Sequence, residues 1–525
     1  MNNRIIFVAC LIFVLLILVF EKPNYKCANC NIILISVDSV RYDHLGINGY
    51  SRNTTPNIDN FARDSIFFPN YITQAYLTPI SEASIHTSRY PSSNGFVGFI
   101  YYLDPQSTKL EDVLKYYGYN NYAFVGSGNF FGDGTFVNQF SPSYKVYRRT
   151  YESDGFPLNI SELKNFTKEK FFLWISIGNI HWPYGVPNAP QKYVDMFVDK
   201  NYSGLFKNQT LDGEVVPRIK GWDITSNDRQ YIIDNYDSGL KYSDDYIGEL
   251  LQGLKENDLI KNTIIVIQSE HGEELGDHGR FTHNDIWENT IHTFLIINNP
   301  ALKDSKTILT QAQGIDIMPT ILDMVDIPIP ESAQGKSLIS LSLISLIFGK
   351  ADLDFNKYAF TERIPYPSFF PDIINTRGEN AIPIKVVYDV LSRYNQTDAL
   401  QDLKNTNNSF YEHISVRTND WKLIERPYQR INDVSQLIYT YSKKCEEENK
   451  TYCIYPNFFV RVQNYSSYQL FNLKNDPNEQ NDLYGRNLSI ETELIRILNQ
   501  WKESRDSSGV QYIFNSSVFV NYTFN

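Results

Sequence analysis

The chain reads as an α/β protein with a mixed, largely parallel sheet flanked by helices, followed by a smaller α+β C-terminal subdomain. Three observations predict this. Five short apolar runs, Asn31 to Val37, Tyr122 to Val125, Phe171 to Ile177, Thr263 to Ile267 and Thr293 to Ile297, lack the alternation of a half-exposed sheet. Such runs suit strands buried on both faces. Helical stretches fill the intervals, notably Leu110 to Tyr117, Asp234 to Glu256 and Ile315 to Val325, and strands alternating with helices build parallel units. After about residue 350 the alternation fades. There Ile414 to Thr418, Trp421 to Arg426 and Tyr468 to Leu473 read as antiparallel strands, and Ile490 to Trp501 reads as a closing helix.

With 525 residues, 42% hydrophobic and 21% charged, the chain has enough apolar content for one large domain and a smaller one. The expected divisions are 1–29, an N-terminal apolar segment and short linker; 30–350, a catalytic α/β domain; and 351–525, the C-terminal subdomain and tail. A net charge of -12 leaves no basic excess to meet a phosphate backbone, so no nucleic-acid partner is expected. An anionic substrate held through a metal ion is compatible with that charge.

Ile5 to Phe20 is an uninterrupted apolar run behind Arg4, long for the core of a secretory signal and slightly short for a bilayer span of about 20 residues. No small-residue cleavage site follows it, so an uncleaved membrane anchor with the catalytic domain outside the cytoplasm is favoured over secretion. Asn-x-Ser/Thr sequons begin at Asn53, Asn159, Asn165, Asn201, Asn208, Asn395, Asn407, Asn449, Asn464, Asn487, Asn515 and Asn521. Their spread fits an exported glycoprotein. Outside the apolar run, Cys445 and Cys453 have the spacing of a short surface loop closed by a disulfide, and Cys27 and Cys30 read as a local structural disulfide.

In parallel sheets, sites form beyond the carboxyl ends of strands, and Asp38, Gly126, Gly178 and Glu270 fall just past such ends. Asp38 is a candidate ligand for a hard cation. Glu270 and His271 arrive together after another strand, followed by Gly272, which permits a tight turn. Carboxylate plus imidazole suits one divalent ion, zinc or manganese first, with calcium or magnesium as alternatives. Thr78, in Leu77-Thr78-Pro79-Ile80-Ser81-Glu82, completes the set. A hydroxyl bound to such a cation is acidified and can attack phosphorus or sulfur at neutral pH.

These segments resemble the sulfatase family of the alkaline phosphatase superfamily, from Asn31 to about Gly485. Ser36-Val37-Asp38-Ser39-Val40-Arg41-Tyr42-Asp43-His44-Leu45-Gly46 is similar to the opening metal-binding strand, and Thr55-Pro56-Asn57-Ile58-Asp59 to the helix start after it. Thr87-Ser88-Arg89-Tyr90-Pro91 resembles the segment downstream of the nucleophile, and Ser269-Glu270-His271-Gly272-Glu273 the second metal segment. Asp316-Ile317-Met318-Pro319-Thr320 and Leu470-Phe471-Asn472-Leu473-Lys474-Asn475-Asp476-Pro477 are similar to a late core helix and the C-terminal subdomain. The resemblance implies an alkaline-phosphatase-like fold, metal ligands Asp38, Thr78, Glu270 and His271, and catalytic roles for Thr78, His181 and His283.

The departures from that family restrict the chemistry. Most sulfatases carry Cys or Ser at the position of Thr78 for oxidation to formylglycine, an aldehyde that threonine cannot yield. Glu82 stands where a supporting Arg is usual, Ser39 where a second metal-binding Asp is usual, and Gly126-Ser127-Gly128-Asn129 lacks the usual Lys and His. Threonine-bearing sequences of the superfamily resemble phosphoethanolamine and phosphoglycerol transferases. The expected function is therefore a metal-dependent hydrolase of sulfate or phosphate esters, on glycan or lipid, with metal-activated Thr78 as nucleophile. His181 is expected to offset charge on the transferred group and His283 to protonate the leaving oxygen. Two other readings stand beside it: a membrane-anchored transferase of the phosphoethanolamine or phosphoglycerol type, and an inactive glycosylated surface protein retaining the fold. His278 and His292 are expected in a loop and in the core. Asp237 and Asp244 on the long helix are expected to face solvent or a neighbour rather than metal.

Overall fold

The computed structural model describes residues 25–96, 101–126, 143–149, 158, 169–207, 211, 224–279, 281–283, 285–302, 305–339, 357–363, 413–426, 468–486, 488–506 and 513–514. The chain forms two compact units, one of Met1–Tyr90 and Gln106–Ala359, the other of Pro91–Pro105 and Phe360–Asn525.

The first unit is built on a nine-stranded sheet. Its strands are β1 (Asn31–Val37), β2 (Ile66–Ile72), β3 (Asn120–Gly126), β4 (Tyr144–Arg149), β5 (Phe171–Ile177), β6 (Thr263–Gln268), β7 (His292–Asn298), β8 (Lys306–Thr307) and β9 (Ala312–Gln313). Their order is β8-β2-β7-β6-β1-β5-β3-β4, with β9 also on β2. Strand β1 is central and runs parallel to both β5 and β6. Every residue of these three strands is buried, as their unbroken apolar sequence requires. The polar exceptions satisfy one another, since Trp174 Nε1 and Gln268 Nε2 both donate to Ser36 Oγ, at 3.2 and 2.9 Å.

Strand β7 departs from the parallel pattern and pairs antiparallel with β6 and β2. Strand β2 had no clear signal in the sequence because Pro69 interrupts it. The ladder accommodates the missing N–H through a register shift, from Tyr71 opposite Thr293 to Phe68 opposite Leu295, and prolines in sheets concentrate at such irregularities.

The helices are α1 (Pro56–Arg63), α2 (Thr78–Thr87), α3 (Leu110–Tyr116), α4 (Ser226–Glu256) and α5 (Ile317–Met324). Alternate residues Ile33, Ile35 and Val37 of β1 share one core cluster with Tyr236, Leu240, Ile247 and Leu250 of α4, the two-residue period of a strand meeting the apolar stripe of a helix. Helix α4 starts eight residues before the apolar period suggests. A capping box sets that start: Thr225 Oγ1 accepts from Asp228 N at 3.2 Å, and Asp228 Oδ2 accepts from Thr225 N at 3.1 Å. Its first five residues, Ser226 to Gln230, are polar, so periodicity alone misses them. Just before β1, Cys27 and Cys30 form the expected disulfide.

In the second unit, β10 (Ala359–Arg363), β11 (His413–Arg417), β12 (Trp421–Glu425) and β13 (Tyr468–Asn472) form a four-stranded sheet in that order. β12 pairs antiparallel with both β11 and β13. Helix α6 (Ser489–Asp506) packs on β11 and β12, where Lys502 Nζ meets Glu425 Oε2 at 2.8 Å.

The apolar run Ile5 to Phe20, the stretch 127–129 and the pair Cys445 and Cys453 lie outside the described residues. Among the described residues no helix is long and apolar enough to cross a membrane. Of the sequon asparagines, Asn53 and Asn201 are described, and both are exposed.

Candidate active site

The carboxyl ends of β1 and β6 deliver the acidic residues. β1 stops at Val37, and Ser39 turns the chain away with a left-handed φ of 61°, an uncommon conformation for a residue with a Cβ. Three hydrogen bonds hold the turn. Ser39 Oγ donates to Asp38 Oδ1 at 2.7 Å, Val40 N donates to Ser269 Oγ at 2.9 Å, and Tyr236 donates its hydroxyl to the Ser39 carbonyl at 2.7 Å. Behind the turn, buried Arg41 reaches the Asp277 carboxylate and donates to the Glu273 carbonyl at 3.2 Å.

β6 ends at Gln268, and the following Ser269-Glu270-His271-Gly272-Glu273 is tied to the turn before β7, with Gly272 N donating to the Thr290 carbonyl at 2.7 Å and Glu273 N to the Asn289 carbonyl at 3.0 Å. Gly272 is required by close approach: a Cβ there would lie 2.1 Å from the Asn289 carbonyl oxygen. His271 Nδ1 faces the Gly272 carbonyl at 2.9 Å. A carbonyl only accepts, so the proton sits on Nδ1 and Nε2 carries a lone pair. That nitrogen lies 3.0 Å from Thr78 Oγ1 and 3.4 Å from Asp38 Oδ1.

Thr78 is the first residue of α2, and Pro79 after it holds its own φ at the helical value in the first turn. The helix leaves unsatisfied N–H groups and a partial positive charge at this end. The whole of α2 is buried, so the hydroxyl is fixed against the β1 and β6 loops rather than presented to bulk water.

Asp38, Glu270 and His271 offer one ligand atom each within 4.8 Å of one another, all buried. Both oxygens of Glu270 are buried without a hydrogen-bond partner. Burial, with Asp38 and Glu82 nearby, pushes its carboxyl well above the usual range. A buried carboxylate with no donor is costly, and a divalent cation is the partner that this oxygen-rich, imidazole-bearing donor set fits. Burial opposes ionisation of Asp38, yet His181, His271 and His283 offset it and hold that carboxyl below its ordinary value.

His181 and His283 also reach this cluster. Their rings lie 5.1 Å apart, and His283 lies 4.3 Å from His271, centroid to centroid. His181 Nδ1 faces the Trp182 carbonyl at 2.7 Å, and His283 Nδ1 faces the Glu273 carboxylate at 3.2 Å. Burial and the neighbouring His181 push His283 down to about 3, and burial and His283 push His271 down to about 4. Burial lifts Glu273 to about 7 against His181 and His271. His283 is therefore neutral at pH 7, and its Nδ1 shares a hydrogen bond with Glu273, an acidic partner the sequence reading did not single out.

The remaining singled-out residues have other partners. Asp237 accepts from Tyr50 and Arg52 and meets His44 Nδ1 at 2.8 Å. Asp244 accepts from the Asn57 and Ile58 N–H groups at the start of α1. Both are fully buried and face neighbours. His292 begins β7 and contacts the Pro69 carbonyl at 2.8 Å, and His278 stacks on Trp287 at 4.0 Å. The sequence reading also passed over His86, which lies between Glu82 and Glu111. Its signal was present as the spacing of Thr78, Glu82 and His86 along one helix face.

A family model described as Sulfatase matches residues 30–327. The ulvan-active sulfatase of Formosa agariphila is 26% identical over 347 residues, covering 59% of this chain and 64% of that protein, so the match spans just under two thirds of that relative. An arylsulfatase of Clostridium perfringens is 26% identical over 381 residues, covering 59% of this chain and 78% of that protein. Among solved structures, a protein in complex with its substrate D-glucosamine-2-N,6-O-disulfate superposes with a TM-score of 0.63 at 18% identity, covering 92% of this chain and 99% of that one. The phosphonate monoester hydrolase of Agrobacterium radiobacter gives 0.62 at 16% identity, covering 91% and 96%. At these identities the structural matches show the alkaline-phosphatase-like fold alone. The family match extends over more than half of the chain and includes every residue of the cluster around Thr78, and the chain belongs to the sulfatase family.

Proposed function

We propose that the chain is a metal-dependent hydrolase of sulfate or phosphate esters that uses Thr78 as its nucleophile. The observation that carries this reading is Thr78 Oγ1, 3.0 Å from His271 Nε2, beside the Asp38, Glu270 and His271 cluster. Asp38, Thr78, Glu270 and His271 would hold a divalent cation, zinc or manganese by donor type, which would supply Lewis acidity to the threonine hydroxyl and to the ester oxygens. The acidified Thr78 hydroxyl loses its proton to solvent, Thr78 Oγ forms the new bond to sulfur or phosphorus while the bond to the ester oxygen breaks, and water then releases the group from Thr78 and restores the hydroxyl.

His181 lies where its imidazole meets the equatorial oxygens. His283 gives the departing oxygen the proton on its Nε2 while its Nδ1 takes up the proton of Glu273, so the acid is the Glu273 and His283 pair. The names of the Formosa relative and of the neighbour bound to a disulfated glucosamine support a sulfated glycan as substrate. The sequons and the Ile5 to Phe20 run support an exported, N-terminally anchored glycoprotein.

The test is release of sulfate and phosphate from aryl esters by the purified protein, before and after chelation, with Thr78→Ala alongside. Metal-dependent release that disappears in the variant is expected. Undiminished release by Thr78→Ala rules out the threonine nucleophile.

A further inference from the structure

Beneath Thr78, α2 carries a line of buried ionisable groups. Residues four apart share a helix face, so Thr78, Glu82 and His86 form one stripe, and all three are buried. His86 is held between two carboxylates, with Nδ1 2.9 Å from Glu111 Oε2 and Nε2 3.5 Å from Glu82 Oε2. Both ring nitrogens face acceptors, so the ring needs both protons. Trp174 packs edge-on against it at 4.7 Å.

One imidazolium between two glutamates leaves one negative charge unmatched. Glu111 holds the shorter contact, so the excess falls on Glu82. Among the described residues Glu82 has no closer donor than His86, at 3.5 Å from Oε2, and neither oxygen of Glu270 has a hydrogen-bond partner. The two side chains lie close enough for the charge of Glu82 to act on Glu270, and both act on the Tyr71 hydroxyl. Two buried carboxylates so short of donors stay ionised together only with a cation near them; without one, Glu270 takes up a proton.

We propose that Glu82 is a positioning carboxylate of the cation site, adding a third negative charge to Asp38 and Glu270 from the α2 side and so raising the affinity for the divalent ion. This rests on the metal site of the proposed function. Glu82 stands outside the Asp38, Glu270 and His271 group and acts through its charge and through Glu270. His86 keeps it in place, as an outer partner keeps an inner ligand oriented.

The test is titration of the chelator-stripped full-length protein with Mn²⁺, reading free ion by electron paramagnetic resonance, together with thermal melting of the metal-free forms. Glu82→Gln is expected to weaken Mn²⁺ binding by about 10- to 100-fold, the range for outer-shell partners. Glu111→Gln, on the far side of His86, is expected to change it by less than about threefold, because it leaves the charge nearest the ion in place. Equal affinity in wild type and Glu82→Gln overturns the proposal. So does a Glu111→Gln loss as large as that of Glu82→Gln, since the effect then comes from disturbing the triad. If Glu82→Gln fails to fold, Glu82→Met, which also removes the charge, gives the reading, with weaker binding in support and unchanged binding against. Absence of stoichiometric Mn²⁺ and Zn²⁺ binding by wild type overturns the proposed function itself, and this inference with it.

Discussion

Thr78 Oγ1 and His271 Nε2 lie 3.0 Å apart although 193 residues separate them in the chain. The contact joins the first turn of α2 to the loop after β6. The Nδ1 proton of His271 is committed to the Gly272 carbonyl, so the nitrogen facing Thr78 is the one with a lone pair. Thr78→Ala is expected to lower turnover by at least about 1,000-fold with the fold intact, as loss of a nucleophile does. Thr78→Ser keeps the hydroxyl and is expected to retain measurable activity. Steady-state kinetics on an aryl ester, with circular dichroism of both variants, checks this.

Glu270 links the cation to stability. Both its oxygens are buried without a partner, and an ion that binds only the folded state stabilises it by about 2.7 kcal/mol at a hundredfold excess over Kd. Saturating Mn²⁺ or Zn²⁺ is therefore expected to raise Tm by a few degrees, and chelator to reverse it. Glu270→Gln is expected to melt at or above the metal-free wild type and to show no such shift. Scanning calorimetry with and without ion distinguishes these outcomes.

His86 sets a pH dependence. Burial lowers its pKa, but Glu111 and Glu82 outweigh burial and raise it from 6.5 to about 9. Its folded pKa lies above the unfolded one, so its contribution is fully present below pH 6.5 and is lost as pH rises through about 9. Urea midpoints of wild type are expected to fall across that window. In His86→Gln the fall is expected to be largely absent, at the cost of lower stability at neutral pH, where Glu82 and Glu111 have lost their counter-charge.

In the second unit, Lys422 Nζ and Glu479 Oε1 pair at 2.9 Å with both side chains fully buried. Removing one partner strands the other charge. Lys422→Met is expected to cost roughly 3–5 kcal/mol, whereas Lys422→Met with Glu479→Leu is expected to recover most of that loss. Equilibrium unfolding of the three proteins, read as a double-mutant cycle, gives the coupling.

The sequence made the central strands legible because β1, β5 and β6 are buried on both faces and so read as unbroken apolar runs. It missed β2, where Pro69 breaks the run, and the first turns of α4, which a capping box rather than periodicity defines. Asp38, Glu270 and His271 were legible as strand-end residues, and the structure brings them together with Thr78. Glu273 was harder to recognise, because its role rests on contact with His283 ten residues on. His86 was harder still, since its partner Glu111 comes from another helix.

The most direct test of Thr78 as nucleophile is rapid quenching of wild-type protein during turnover of a sulfate or phosphate ester, followed by mass spectrometry of the peptide containing Thr78. A sulfo or phosphoryl group on Thr78, absent from Thr78→Ala and from chelated protein, is the expected result. Turnover that continues in Thr78→Ala, with no group transferred to Thr78 in wild type, would contradict it.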